Sequence, residues 1–236
     1  MRVDRRRPVP LGARRLAAAA AAGYVAGLVP SADVAARVAT GGAVDLRRAG
    51  SGNPGAVNAM KVLGPKFGYA VLAADIAKGA AGALAGRRVA GAPGAHLGGA
   101  AAVIGHCFPA TQGFRGGKGV GASVGQCLAT FPAYAPIDLL VAATTAGMAR
   151  RPGRALTATA VSSVSWVLSG LWWWRRRWPN LWGPSPSAWL PAGAAVSSAV
   201  ILYRFAAAKA PSAEPVAERP VQGSGTAAVT PSAPRP

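Results

Sequence analysis

Acidic residues and cysteines are scarce in this chain. Only 7 of its 236 residues are Asp or Glu, against 26 Lys and Arg, which leaves a formal net charge of +19. The two cysteines, Cys107 and Cys127, lie in or beside apolar segments. Two thiols so placed exclude a disulfide framework and read as small buried hydrophobes. Histidine is equally sparse: His106 adjoins Cys107 and His96 stands apart, which is no spacing for a metal centre. Long unbroken apolar runs are few as well, although 51% of the chain is hydrophobic. Almost none reaches the ~20 residues of a simple bilayer span. What is abundant is Ala and Gly, the small residues that let membrane helices pack closely. The composition therefore implies an all-α integral membrane protein made of short, partly polar helices.

Such a basic balance also suits a nucleic-acid surface. Here, however, the Arg clusters sit between apolar segments, as membrane-flanking loops do, so the expected partner is the lipid bilayer and not nucleic acid. Residues 1–15 form a basic leader with six Arg. An Arg-rich start before an apolar stretch also matches a signal peptide, but apolar character returns many times downstream, and the stretch reads as a first span. Seven helices are expected, at 16–29 (running on towards 38), 68–85, 97–107, 120–131, 134–149, 156–174 and 189–205. Residues 40–66 read as a polar loop, 86–94 as a short turn and 150–154 as a basic loop. Trp172–Trp174 followed by Arg175–Arg177 marks a water interface. The membrane domain is expected over 16–209, and 210–236, rich in Pro, Ser, Ala and Gly, reads as a disordered tail. Both glycine-rich loops fall on one membrane face. The basic residues divide almost evenly between the two faces, so charge alone does not orient the chain.

Three constellations can carry chemistry. Residues 114–121 read Phe-Arg-Gly-Gly-Lys-Gly-Val-Gly, where backbone N–H groups and Lys118 could cradle phosphate oxygens. This is not a Walker A loop: Gln112 stands where its first Gly belongs, and Gly119 replaces the hydroxyl residue that holds magnesium. Residues 51–58 read Ser-Gly-Asn-Pro-Gly-Ala-Val-Asn behind Arg47 and Arg48. Small hydrogen-bonding residues alternating with glycine can wrap a polar ligand, or form an ordinary turn. Asp75 and Lys78, at i, i+3 within an apolar helix, share a face and are expected to pair there.

Taken together, these segments resemble the bacterial acyl-phosphate-dependent glycerol-3-phosphate acyltransferases of the PlsY type. The resemblance runs through Gly27–Ser31, through Arg47 to Asn58 with Lys61 in an Arg position, through Asp75-Ile-Ala-Lys78-Gly79, and through Gly105-His106-Cys-Phe-Pro109 followed by the loop at 114–120. It implies transfer of a fatty acyl group from acyl phosphate to the 1-hydroxyl of glycerol 3-phosphate, giving lysophosphatidic acid for phospholipid synthesis. The expected setting is the bacterial inner (cytoplasmic) membrane, with the glycine loops facing the cytoplasm. Acyl phosphates are already activated, so no metal, cofactor or covalent intermediate is called for. Ser51 is expected to orient the acceptor hydroxyl and His106 to act as a base. Arg47, Asn53, Asn58, Lys61, Gly116, Gly117, Lys118 and Gly119 are expected to bind substrate and phosphate, and Asp75 with Lys78 to support the loops. The chain departs from the family after the last span. Arg204 matches its third motif, but Phe205 replaces His, Ala208 replaces Asn, and no Gly-Thr-Glu follows. The alternative reading is thus a non-catalytic or altered-acceptor paralogue that keeps the phosphate-binding loops.

Overall fold

The computed structural model describes residues 12–148 and 154–208, and every regular element among them is helical. In chain order these are α1 (Ala13–Gly27), α2 (Ser31–Thr40), α3 (Ala56–Leu63), α4 (Pro65–Cys107), α5 (Val120–Thr130), α6 (Ala135–Met148), α7 (Arg154–Arg176) and α8 (Trp189–Ala206), with a 3₁₀ turn at Ala110–Gln112. Most of the basic leader, the loop 150–153 and the tail 210–236 lie outside the described residues.

Several expectations are corrected. Helix α1 begins at Ala13, inside the basic leader, and ends before Pro30 instead of running on; Ser31 then starts the separate α2. The 40–66 loop contains α3, a helix too short to register against its glycine-rich surroundings. The turn at 86–94 shrinks to Ala90 and Gly91, whose backbone leaves helical geometry at φ −135° and +64°. Gly91 accepts the left-handed angle without strain, and Pro93 sits in the new first turn, where its missing N–H costs nothing.

This break folds α4 into an antiparallel hairpin of two arms, 65–89 and 92–107. The arms meet backbone to backbone: a methyl on Gly98 would overlap the carbonyl of Gly82, and one on Gly86 that of Gly94. Helix α1 lies along this hairpin, with Gly23 against Gly98. Helix α5 packs on the first arm through Gly125, α8 packs on the second, α7 on α8, and α6 on α7. Counted through the described residues, seven segments run between the two ends of the bundle: α1, both arms, α5, α6, α7 and α8.

Four stretches, Ala13–Thr40, Pro65–Gln112, Ala155–Arg176 and Trp189–Ala206, are long and apolar enough to cross a membrane. At one end lie Arg15, which donates from Nε to the Val89 carbonyl at 3.0 Å, the hairpin bend, and the Trp- and Arg-rich end of α7. At the other end lie the α1–α2 junction, α3, both glycine loops and the end of α8. The chain is an integral membrane bundle with its functional loops gathered on one face.

Candidate active site

The two glycine loops meet because Arg47 reaches across. Its Nη1 donates to Asp33 Oδ1 and its Nη2 to Gln112 Oε1, each at 2.5 Å, and its Nε donates to the Arg115 carbonyl at 3.0 Å. One guanidinium fork thereby joins α2, the first loop and the second loop, a task for which its rigid planar donors suit it. Tyr24 ties α1 to the same place: its hydroxyl donates to the Phe108 carbonyl at 2.8 Å and accepts from the Ala110 N–H at 3.2 Å.

Between these braces lies a small cleft bounded by Ser31, Arg47, Pro54, His106, Gln112 and Gly117. Its floor is a buried polar quartet. Asp75, Lys78 and His106 are only 3%, 6% and 7% exposed. Lys78 Nζ lies 2.9 Å from Asp75 Oδ1 and donates to the Val29 carbonyl at 2.6 Å and to Ser31 Oγ at 3.0 Å. The Ser31 hydroxyl in turn donates to Asp75 at 2.5 Å. His106 Nδ1 stands 3.4 Å from Lys78 Nζ and 3.5 Å from Asp75 Oδ1. Nδ1 thus faces both the Lys78 ammonium and the Asp75 carboxylate, and Nε2 lies beside Gly117.

The sequence marked Asp75, Lys78 and His106 but missed Ser31 as their partner. The signal available was Pro30, which stops α1 and turns the next residue inward. Ser51 lies on the exposed loop above. Its N–H is held by Asn58 Oδ1 at 2.8 Å, and its hydroxyl has no hydrogen-bond partner among the described residues. Asn58 is buried, and its amide donates to the Leu46 and Ala49 carbonyls at 3.0 and 2.9 Å. It therefore shapes the loop, and the expectation that it holds substrate oxygens is corrected. Asn53 and the exposed Lys61 make no side-chain hydrogen bond or ion pair among the described residues.

The second loop differs from a simple amide cradle. The N–H groups of Gly116 and Gly117 donate back to the Cys107 and His106 carbonyls at 3.2 and 3.1 Å. They are not available to an anion, contrary to expectation. Their carbonyls are clamped by Arg204, from Nη2 to Gly116 at 2.5 Å and from Nε to Gly117 at 3.1 Å. Gly119, at φ +89°, stands at the N-terminus of α5, whose first-turn amides are the donors that a helix leaves unpaired. Lys118 lies 4.4 Å from the Phe205 ring centroid. Burial, and then the neighbouring Arg204 cation, holds its ammonium below the ordinary lysine range. The face thus combines braces already committed within the protein with a few uncommitted groups: the Ser51 hydroxyl, Asn53, Lys61 and Lys118.

The glycerol-3-phosphate acyltransferase family model matches residues 17–209. A glycerol-3-phosphate acyltransferase of Allorhizobium ampelinum is 38% identical over 159 residues, which cover 65% of this chain and 75% of that protein. One from Anaeromyxobacter sp. strain Fw109-5 is 42% identical over 155 residues, covering 64% and 70%. One from Thermoanaerobacter sp. strain X514 is 42% identical over 101 residues, about half of its own length. Among solved structures, the glycerol 3-phosphate form of PlsY, an integral membrane glycerol 3-phosphate acyltransferase, is similar at a TM-score of 0.63 and 30% identity, covering 80% of this chain and 88% of that one. The lysophosphatidic acid form is similar at 0.60 and 28%, covering 80% and 87%.

Proposed function

Since this chain belongs to the glycerol-3-phosphate acyltransferase family, we propose that it transfers a fatty acyl group from acyl phosphate to the 1-hydroxyl of glycerol 3-phosphate. The observation that carries this reading is the convergence of both glycine loops on one cleft, with a buried ionic floor and an uncommitted hydroxyl and cations around it. In the reaction the acceptor oxygen bonds to the acyl carbon. The bond from that carbon to the bridging phosphate oxygen breaks, and the acceptor's proton leaves with inorganic phosphate. The donor is already activated, so positioning and charge stabilisation can supply most of the rate. Lys118, Lys61 and the first-turn amides of α5 suit phosphate oxygens. The Ser51 hydroxyl and Asn53 suit the acceptor, and the His106 imidazole at the cleft floor suits the proton that leaves the acceptor hydroxyl. Asp75, Lys78, Ser31, Arg47, Asn58 and Arg204 hold the loops in register. Residues 16–209 would make up the acyltransferase domain, set in the bacterial inner membrane with the loops on the cytoplasmic side.

A second reading, a paralogue that binds phosphate compounds without turnover, is favoured by Phe205 and Ala208 at third-motif positions. Phosphate release by the purified protein in detergent, with hexadecanoyl phosphate and glycerol 3-phosphate, separates the two. The expected result is release that requires both substrates and falls about 100-fold or more in Ser51→Ala. Folded protein that binds glycerol 3-phosphate and releases nothing would establish the second reading.

A further inference from the structure

Gln126, the longest polar side chain of α5, is 1% exposed and reaches across to α8. Its Oε1 accepts the Ser197 hydroxyl at 2.6 Å, and its Nε2 donates to the Gly193 carbonyl at 3.4 Å. Both ends of the amide are engaged, at two points one helical turn apart on α8. The niche is shaped for this side chain: a methyl on Gly99, in the second arm of α4, would stand 2.6 Å from Gln126 Cγ. Ser197 is wholly buried, so no water competes for its hydroxyl. Inside a membrane bundle, breaking such a pair leaves polar groups without a partner.

The grip matters because both helices meet the glycine loop. Helix α5 leaves the loop at Gly119, and α8 returns to it with Arg204. Gln126 comes seven residues after Gly119, and Ser197 seven residues before Arg204. Each interval is two turns, about 10 Å of rise, so the pair meets at a matching depth. Packing alone sets this register poorly. Between Gly193 and Ser198 the buried face of α8 consists of Gly193, Ala194, Ser197 and Ser198, which raise almost no ridge to seat in a neighbour's groove. A slip of one residue would move Arg204 about 1.5 Å along the axis and turn it by about 100°. Arg204 holds the Gly116 and Gly117 carbonyls at 2.5 and 3.1 Å, and its guanidinium lies 5.3 Å from the Phe108 ring centroid. None of these contacts survives such a slip.

We propose that Gln126 is a positioning residue for the glycine loop: it fixes the register of α8 against α5, and with it the place where Arg204 clamps the Gly116 and Gly117 carbonyls. The inference rests on the acyltransfer reading above for its consequence, since Lys118, next in the chain, is a phosphate-binding cation of that reading. Gln126 touches no reacting atom. It lies two turns inside the bundle and acts through Arg204. A merely stabilising hydrogen bond would lower the unfolding temperature without singling out the loop.

Hydrogen exchange of the full chain in detergent, read by mass spectrometry over residues 114–120, tests this without any substrate. Gln126→Leu, similar in volume but unable to hydrogen-bond, is expected to speed exchange there about tenfold. Ser197→Ala, the milder change, removes one of the two bonds and is expected to act in the same direction by about threefold. Arg204→Lys cannot form the planar fork and is expected to loosen the loop as much as Gln126→Leu does, with the double change adding nothing further. Unchanged loop exchange in both Gln126→Leu and Ser197→Ala would overturn the proposal. So would equal acceleration by Gln126→Leu with and without Arg204→Lys, or acceleration spread evenly over every helix. Phosphate release in the same variants reads the consequence: the KM for glycerol 3-phosphate is expected to rise about tenfold while kcat falls less. A loosened loop with an unchanged KM would overturn the proposal as well. The expected loop pattern, with no release by the unaltered protein, would support the positioning role and count against acyltransfer. Intact release with an unmoved loop would sink the positioning role and leave acyltransfer standing.

Discussion

Lys118 sits against Phe205 with Arg204 beside it, and its pKa is held below the ordinary lysine value of 10.5 by burial first and by Arg204 second. Only the protonated amine attracts an anion. A lowered pKa means that its charge is lost at a lower pH than in an exposed lysine. The KM for glycerol 3-phosphate is therefore expected to climb on the alkaline side, starting below the normal lysine range. Lys118→Arg, which cannot be deprotonated in that range, is expected to flatten the climb; an unchanged alkaline limb would assign the titration to another group. The buried quartet gives a second prediction. Removing one charge, as in Lys78→Met, leaves Asp75 buried without its partner and is expected to cost about 3–5 kcal/mol, read as a lower unfolding temperature in detergent. The double change Asp75→Leu with Lys78→Met is expected to recover most of that loss and to stay inactive, because the ties to Ser31 and His106 are gone. Spacing showed that Asp75 and Lys78 share a face. No spacing could show that Ser31 completes their network, since that depends on where Pro30 ends α1. Nor could the glycine pattern show that the amides of Gly116 and Gly117 are already engaged. A sequence displays donors, but only the fold shows which remain free.

At the scale of elements, the bundle core is built on glycine-to-backbone approach. Gly98 meets the Gly82 carbonyl on one side and α1 on the other, with the Ala19 carbonyl 3.3 Å from where a methyl would stand. Gly98→Val is therefore expected to wedge the hairpin from α1 and cost about 1–3 kcal/mol or more. Gly12→Ala, with open space around it and φ −58°, is expected to leave the unfolding temperature unchanged. Equal melting of both variants would show that the close approach is not what holds the arms. This packing explains which elements were legible. Seven apolar stretches could be read because each transmembrane segment must carry its own apolar residues, and their expected bounds fall within a few residues of the helices seen. Helix α3 could not be read: its eight residues, Ala56–Leu63, are flanked by Gly55 and Gly64 and look like more loop. The hairpin bend looked wider than it is because Gly86 and Gly94 read as turn residues. Both lie inside helices, where they serve the contact between the arms.

Taken whole, the molecule has two unlike ends, and the charge count does not say which faces the cytoplasm. The end opposite the site carries Arg14, Arg15, Arg87, Arg88 and Arg175–Arg177 beside the tryptophans of α7, with Arg176 over the Trp172 ring at 4.6 Å. The site end carries Arg37, Arg47, Arg48, Lys61, Lys66, Arg115, Lys118, Arg154 and Arg204. The positive-inside rule needs an excess on one side, and here there is almost none. The chemistry of the proposed reaction breaks the tie. Glycerol 3-phosphate and the head of an acyl phosphate are anions, and charged groups cross a bilayer at high cost, so the proposed reaction expects the site to open where such metabolites are made. In intact cells, Arg48→Cys on the first loop is expected to resist a membrane-impermeant maleimide until the membrane is permeabilised. Arg88→Cys, at the hairpin bend, is expected to react at once. Cys107 and Cys127 are buried, which keeps the background low. The reverse pattern would place the loops outside, where neither substrate is produced, and would make lipid-phosphate binding a better account of the cleft geometry than acyltransfer from soluble glycerol 3-phosphate.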